Sequence, residues 1–271
     1  MLNFSKEDES MLKDQNLFLF DMDGTLYLGS QLYDFTKELL STIKEKGKRY
    51  LFMTNNSSKS VVDYVKKLEK LGIEATEDDF ITSSQATAYY LKLHHANDRL
   101  YVCGTNSLKE ELRKHGFVIT EELDEVDCIV MGFDTELTFK KLEDVSKLLL
   151  TRESIPYIAT NPDYVCPTEY GSVPDCGSVC DMIYNATKKR PLVIGKPEAL
   201  MPELAMQQHG YTKEETTVIG DRIYTDIKSG LKAGIHTILV LSGETTQEIL
   251  DASEEKPHMV LQNAGEMIPM L

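Results

Sequence analysis

Long apolar runs are missing from this sequence. No stretch reaches the roughly 18 apolar residues that a membrane-spanning helix needs, so we expect no membrane partner. The opening residues, MLNFSKEDESMLKDQN, are polar and acidic and lack the apolar core of a secretory signal. These two absences predict a soluble, cytoplasmic protein. Hydrophobic residues still make up 41% of the 271 residues, which is enough for a sizeable core.

Basic residues are scarce. The chain has 29 Lys and Arg against 44 Asp and Glu, which gives a formal net charge of −15. This imbalance argues against a broad electrostatic attraction to nucleic acid or to anionic lipid. If the protein handles a phosphate group, local hydrogen-bond donors and a cation must hold that group.

Cysteines are also few and widely scattered. Their number, five, is odd, and we expect reduced thiols rather than a disulfide framework. Cys176 and Cys180 lie four residues apart, but no second pair of Cys or His residues completes a zinc set. We therefore predict no zinc site.

Short apolar runs alternate with amphipathic stretches, a pattern typical of parallel sheets with crossover helices. One group of predicted strands comes from the two outer parts of the chain: 17–20, 49–53, 191–195, 216–220 and 235–241. A second group lies between them, with helices near 107–115 and 138–150: 100–104, 127–132 and 155–160. Residues 161–177 follow this group as a long connection with three prolines and two glycines, in which we predict no regular element.

Polar side chains follow four of the outer apolar runs directly. Each set comes at the end of a predicted strand: Asp21 and Asp23, Thr54 and Asn55, Lys196, and Asp221 with Asp226. In a doubly wound sheet the carboxyl ends of the strands meet at one edge, where ligands bind. Each set alone is an ordinary turn or helix cap. Because all four occur together, the sequence predicts that these side chains converge on one site.

The residue types at this edge predict phosphate chemistry with a metal ion. Carboxylates gathered in one place repel one another unless a positive charge lies among them. Oxygen ligands without nearby His or Cys suit a hard cation, and Mg²⁺ commonly takes one or two carboxylates together with a substrate phosphate. Without the cation, the site would repel an anionic substrate. We therefore predict Mg²⁺ as the cofactor and a small phosphorylated metabolite as the substrate.

The motifs "DMDGTLYLG", "TNN", "GKP" and "GDRIYTD" resemble, in order and spacing, the four motifs of the haloacid dehalogenase (HAD) superfamily. The segment between "TNN" and "GKP" resembles the C2 cap of the branch that holds NagD-like proteins, p-nitrophenylphosphatases and phosphoglycolate phosphatases. The resemblance implies an α/β fold with a Rossmann-like, doubly wound parallel sheet core and an inserted smaller α/β cap. It implies core segments at 1–93 and 189–271, with the cap at 94–188.

The resemblance also implies a role for each site residue. Asp21 is the nucleophile that forms an aspartyl-phosphate, and Asp23 is the general acid and then the general base. Asp21 and Asp221 are metal ligands through their side chains, and Asp23 through its backbone carbonyl only. The phosphoryl group is held by Thr54, Asn55 and Lys196, and Asp226 supports the metal site from behind.

We weigh several alternatives. A receiver-like signalling module also phosphorylates an aspartate beside Mg²⁺, but it is about half this length and lacks a second aspartate two residues later. A dinucleotide-binding enzyme is disfavoured because no G-x-G-x-x-G follows a predicted strand. Within the superfamily, Asp23 argues against a dehalogenase, whereas a phosphotransferase or phosphomutase stays open.

We expect the connection 161–177 to contact the leaving group, with Asn161, Asp163 and Tyr164 as the candidate residues. A long connection after a cap strand is well placed to close over the site and exclude water. The sequence does not choose among phosphomonoesters as the substrate. It also leaves open whether the protein is a monomer or a homodimer.

Overall fold

The computed structural model describes residues 11–168 and 170–271. Contacts divide the chain into two compact units, each built around its own parallel sheet. The first unit contains the described residues up to Thr54, Val65–Ile81 and Lys196–Leu271. The second contains Asn55–Tyr64 and Thr82–Gly195. This arrangement confirms the predicted α/β class with two parallel sheets.

The first unit is built on a six-stranded sheet in the order β15-β14-β13-β1-β4-β5. Its strands are β1 (Leu17–Phe20), β4 (Arg49–Thr54), β5 (Phe80–Thr82), β13 (Thr216–Gly220), β14 (His236–Val240) and β15 (Met259–Leu261). All four residues of β1 are fully buried, as expected for a central strand covered on both faces. The chain runs from β1 to β4 on one side and returns to β13 on the other, which confirms the doubly wound topology.

The second unit is built on a five-stranded parallel sheet in the order β12-β9-β8-β6-β7. Its strands are β6 (Arg99–Cys103), β7 (Val118–Ile119), β8 (Cys128–Met131), β9 (Tyr157–Ala159) and β12 (Leu192–Val193). The core of this unit includes Cys103, Cys176 and Cys180. The five cysteines all lie among the described residues, and none of them forms a disulfide.

The helices include α1 (Thr36–Glu45), α2 (Val61–Lys70), α3 (Ser83–His94), α4 (Asn106–Lys114), α5 (Phe139–Thr151), α6 (Cys176–Thr187), α7 (Leu200–His209), α8 (Lys228–Ala233) and α9 (Gln247–Ala252). Of these, α4 and α5 lie close to the stretches predicted at 107–115 and 138–150. In α1, the buried side chains of Thr36, Leu39, Leu40 and Ile43 form one apolar face at helical spacing. Within the described parts of the chain, we find no helix with the length and apolar character of a membrane span.

Two hairpins were not predicted. The first pairs β2 (Tyr27–Leu28) with β3 (Gln31–Leu32). The second pairs β10 (Val165–Thr168) with β11 (Gly171–Pro174), so the prediction that residues 161–177 hold no regular element is wrong. Neither strand of the second hairpin has a buried face, and the alternation of apolar and polar residues that identifies a strand is therefore absent.

Two parts of the chain belong to a different unit from the one in which the sequence analysis placed them. Strand β12 pairs with β9 in the second sheet, whereas the prediction counts residues 189–195 with the first. Helix α3 also lies in the second unit, although the prediction places residues 83–93 in the core. The limits of the domains stay a proposal, and the contacts favour a boundary at Lys196.

Candidate active site

The first sheet has its topological switch point at β1. The neighbours of this strand are β4 and β13, which the chain forms on opposite sides of it. Ligands of doubly wound sheets bind at the carboxyl ends of the strands at such a point. Asp21 follows β1, Thr54 ends β4, and Asp221 follows β13. Three of the four predicted strand ends are therefore adjacent.

Lys196 joins this group from a distant part of the sequence. Its Nζ lies 2.6 Å from Oδ1 of Asp21 and 2.6 Å from Oδ1 of Asp226. It also donates to the carbonyl of Met53 over 3.2 Å. The lysine is only 3% exposed, and burial opposes its charge, yet the two carboxylates raise its pKa above the ordinary value. Lys196 is therefore protonated and supplies one buried positive charge.

Three carboxylates lie together here. Asp21, Asp221 and Asp226 each place an oxygen within 4.8 Å of the other two. Burial raises the pKa of Asp21 to about 6, although Lys196 acts in the opposite direction. Burial, with the negative charges of Asp21 and Asp226, raises the pKa of Asp221 to about 8. One lysine therefore does not fully compensate three carboxylates, and the cluster favours an additional cation.

Asp221 has one oxygen held by the protein and one that is not. Its Oδ2 accepts a hydrogen bond of 2.7 Å from the backbone N–H of Glu244. Its Oδ1 is buried and has no hydrogen-bond partner among the residues that the structure describes. A buried carboxylate oxygen without a partner is costly. Because every nearby ligand atom is a carboxylate oxygen, the cluster fits a hard divalent cation.

Asp226 is placed by a turn of π-helix over Ile223–Ile227. Its side chain is fully buried, and its Oδ2 accepts a hydrogen bond of 3.1 Å from the backbone N–H of Arg222. π-helical turns are rare and occur frequently at functional sites. The sequence analysis predicted that Asp226 supports the metal site without being one of the metal ligands. In the structure it is a member of the carboxylate cluster and a partner of Lys196.

Asp23 differs from Asp21 although only one residue separates them. Its side chain is half-buried, lies outside the carboxylate cluster, and has no hydrogen-bond or ion-pair partner in the described part of the chain. The turn that follows requires Gly24, which has φ +85°, and a Cβ at this position would lie 2.5 Å from Oδ2 of Asp221. The strand end thus separates one aspartate bound to Lys196 from one whose carboxyl group is free.

The other predicted residues fall in both units. Thr54 is buried at the end of β4 in the first unit. Asn55 begins the second unit, where its Nδ2 donates to Oδ2 of Asp163 over 2.9 Å. Its carbonyl accepts a hydrogen bond of 2.7 Å from the hydroxyl of Ser83. The amide of Asn55 is therefore engaged by the connection that follows β9.

The three predicted residues of that connection have different surroundings. Asn161 is fully buried, and its Nδ2 donates to Asp163 and to Oδ1 of Asp175, both over 3.1 Å. Asp163 is also buried, whereas Tyr164 is 58% exposed. Asn161 and Asp163 therefore belong to a buried hydrogen-bond network. Tyr164 presents an accessible side chain.

Residues 242–245 were missed by the sequence analysis. They follow β14 and surround the turns after β1 and β13. The Ser242 hydroxyl donates to the carbonyl of Gly24 over 2.7 Å, and the N–H of Thr245 donates to the carbonyl of Asp221 over 3.2 Å. The sequence does contain a signal for these residues. The polar stretch "SGETT" directly follows the apolar run 235–241, just as the other site motifs directly follow apolar runs.

Comparison with known proteins shows the family to which the chain is similar. A family model described as haloacid dehalogenase-like hydrolase matches residues 18–118, and a second, HAD-hydrolase-like model matches residues 193–267. The 5'-nucleotidase YutF of Bacillus subtilis is 34% identical over 260 residues, which cover 96% of this chain and 100% of that protein. An acid sugar phosphatase of Staphylococcus epidermidis is 34% identical over 246 residues, which cover 91% of this chain and 94% of that protein.

Solved structures show the same likeness. The crystal structure of a 4-nitrophenylphosphatase from Thermotoga maritima superposes with a TM-score of 0.91 at 42% identity, covering 96% of this chain and 98% of that chain. A putative nagD protein gives a TM-score of 0.84 at 43% identity, covering 90% and 95% of the two chains. The chain therefore belongs to the haloacid dehalogenase-like hydrolases, in the branch of NagD-like proteins and p-nitrophenylphosphatases.

Proposed function

We propose that the protein is a Mg²⁺-dependent phosphatase that hydrolyses small phosphomonoesters through an aspartyl-phosphate on Asp21. The observation that carries the proposal is the cluster of Asp21, Asp221 and Asp226, in which Oδ1 of Asp221 is buried and has no hydrogen-bond partner in the described residues. The relatives named above are a 5'-nucleotidase, a sugar phosphatase and a nitrophenylphosphatase, which supports a phosphomonoester as the substrate.

The metal would be held by the side chains of Asp21 and Asp221 and by the backbone carbonyl of Asp23. When bound, Mg²⁺ neutralises the carboxylates and the phosphate oxygens that gather at this edge. Asp226 holds Lys196 beside Asp21, which supports its predicted role as a residue behind the ligands. Magnesium is favoured over softer ions because the cluster offers only oxygen atoms.

In the first step, a carboxylate oxygen of Asp21 attacks phosphorus and the bond to the ester oxygen breaks. Lys196 opposes the effect of burial on Asp21 and favours its ionised form, which is the form that a nucleophile needs. Asp23 delivers its proton to the departing oxygen, and this assignment is supported by its carboxyl group, which forms no hydrogen bond with the described residues. Thr54, Asn55 and Lys196 hold the phosphoryl oxygens.

In the second step, Asp23 removes a proton from water, which attacks phosphorus. The bond between phosphorus and Asp21 breaks, and free phosphate and the Asp21 carboxylate are regenerated. Without the second step, phosphorylation of Asp21 would only store a signal, as in a receiver module. The free carboxyl of Asp23 is therefore what supports turnover.

We also propose that the second unit is a C2-type cap inserted in the sequence between two core segments, with sequence-predicted bounds of 94–188 for the cap and of 1–93 and 189–271 for the core. We further propose that the connection after β9 contacts the leaving group. Tyr164 is the best candidate for that contact because its side chain is exposed. Asn161 and Asp163 then hold the connection in place. The cytoplasmic location and the choice between monomer and homodimer stay predictions of the sequence.

The decisive experiment is a screen of the purified protein against phosphomonoesters, scored by released phosphate. The panel includes 5'-nucleotides, sugar phosphates, glycerol phosphate, phosphoglycolate, pyridoxal phosphate and p-nitrophenyl phosphate. We expect release that requires Mg²⁺ and is abolished by Asp21→Asn. Undiminished release by the Asp21→Asn variant would refute the assigned nucleophile, and transfer of phosphate to a second metabolite without free phosphate would favour a phosphotransferase.

A further inference from the structure

Residues 242–245, the loop that follows β14, hold Asp221 by its backbone and by its side chain. The N–H of Glu244 donates to Oδ2 of Asp221 over 2.7 Å, and the N–H of Thr245 donates to its carbonyl over 3.2 Å. A Cβ at Gly243 would lie 2.0 Å from the same Oδ2, so the loop approaches the carboxylate more closely than any side chain at position 243 allows. The loop therefore fixes which oxygen of Asp221 is left without a protein partner.

The side chain of Glu244 ties this loop to the turn after β13. Its Oε1 accepts a hydrogen bond of 2.6 Å from the hydroxyl of Tyr224, and its Oε2 lies 2.8 Å from Nε of Arg222. An arginine side chain is not deprotonated in proteins. Arg222 therefore stays charged and holds Glu244 by an ion pair. Asp221 lies directly before Arg222 in the sequence and is restrained from both sides.

We propose that Glu244 is a positioning residue for the divalent cation. Its side chain is anchored by Arg222 and Tyr224, its N–H holds Oδ2 of Asp221, and Oδ1 is thereby left for the metal. This inference rests on the proposed function, because it takes Asp221 as a metal ligand. It extends that function by giving an unpredicted loop the role of setting the affinity for Mg²⁺.

A purely structural role is a poor account of Glu244. Its side chain is 43% exposed, and Tyr224 is half-exposed as well. Ion pairs at such positions contribute little to the free energy of folding. Partners that orient metal ligands from behind typically change metal affinity by about tenfold to a hundredfold. The backbone N–H of Glu244 is retained when its side chain is removed. We therefore expect the loss of metal affinity to lie near the lower end of that range.

The test measures Mg²⁺ binding to the full chain by isothermal titration calorimetry, together with thermal unfolding in EDTA. We expect Glu244→Ala to weaken Mg²⁺ binding about tenfold while the unfolding temperature in EDTA stays that of the wild type. Gly243→Ala is a second variant that adds a methyl group against Asp221 and is expected to weaken binding as well. Glu254→Ala is the matched control, because Glu254 is an exposed glutamate without a described ion pair.

Kinetics provides an independent measurement. For Glu244→Ala, the Mg²⁺ concentration that gives half-maximal activity should rise by the same factor, whereas kcat at saturating Mg²⁺ and the KM for the phosphomonoester should stay close to wild type. Wild-type affinity for Mg²⁺ in Glu244→Ala overturns the inference alone. A wild-type protein that binds no Mg²⁺ overturns the proposed metal site and, with it, this inference.

Discussion

The ammonium group of Lys196 lies 2.6 Å from Oδ1 of Asp21, although 175 positions separate the two residues in the sequence. The same ammonium group contacts Asp226, which is fully buried. A buried carboxylate without a counter-charge is strongly destabilising. The contact therefore contributes to both the fold and the chemistry, because it stabilises this end of the sheet and favours the ionised form of Asp21.

Replacing Lys196 should reduce both the stability of the fold and the phosphatase activity. Lys196→Met leaves the buried carboxylate of Asp226 and the largely buried one of Asp21 without their cation, and we expect the free energy of unfolding to fall by about 3–5 kcal/mol. Phosphatase activity should be lost as well. Chemical denaturation of the wild type and the variant in EDTA measures the first effect.

Lys232→Met is the control for this measurement. Lys232 forms a comparable ion pair with Glu198, but both side chains are partly exposed, so the cost should stay within about 1 kcal/mol. Equal destabilisation by the two substitutions would contradict the importance of the buried pair.

Asp23→Asn should separate the two chemical steps. A poor leaving group must gain a proton as its bond to phosphorus breaks, and general acid catalysis typically contributes on the order of 10²–10⁴-fold. Hydrolysis of a sugar phosphate by the variant should therefore be nearly lost. Phosphorylation by p-nitrophenyl phosphate should be much less affected, because p-nitrophenolate departs without a proton.

A rapid-mix time course of the Asp23→Asn variant measures this. We expect a burst of p-nitrophenol followed by slow turnover, since the second step still needs a base. If the first step slows equally for both substrates, Asp23 mainly shapes the site and is not the acid.

The metal-free protein should lose stability as pH rises. Burial raises the pKa of Asp21 to about 6 and that of Asp221 to about 8, both above the ordinary carboxyl value. At these two groups, the folded state binds more protons than the unfolded state between about pH 4 and pH 8. By linkage, their contribution to the free energy of unfolding falls with pH in that window.

Chemical denaturation in EDTA at pH 5, 6, 7 and 8 tests whether the free energy of unfolding falls as pH rises. Mg²⁺ should reduce the fall, because a cation that binds only the folded state stabilises it by mass action. Asp221→Asn should flatten the pH dependence and weaken the effect of Mg²⁺. A stability that rises over this range in EDTA, in the wild type, would contradict the assignment.

Tyr164 should affect the choice of substrate. If the connection after β9 contacts the leaving group, Tyr164→Ala changes the rank order of phosphomonoesters by kcat/KM and leaves stability almost unchanged. Tyr170→Ala is the control, because Tyr170 lies in the same connection and is 84% exposed. An unchanged rank order in Tyr164→Ala would show that this tyrosine has no part in recognition.

The sequence by itself determined the elements whose signal is local. The bounds of β1 and β13 match the predicted runs at 17–20 and 216–220, because both are fully buried strands that appear as continuous apolar runs. Polar residues after these runs identified Asp21 and Asp221 as site candidates. The exposed hairpin of β10 and β11 was not predicted from the sequence. Neither strand faces a core, so its sequence carries no periodic pattern of apolar residues.

Only the tertiary structure decided which of these side chains meet. The sequence placed Asp21 and Asp23 side by side, but the turn at Gly24 directs one to Lys196 and leaves the other free. It placed Lys196 and Asp226 at one site but did not predict that they form an ion pair, and it did not bring Glu244 to Asp221. Such contacts depend on the order of strands in the sheet and on the path of each turn. Both follow from packing between distant segments, which no local pattern records.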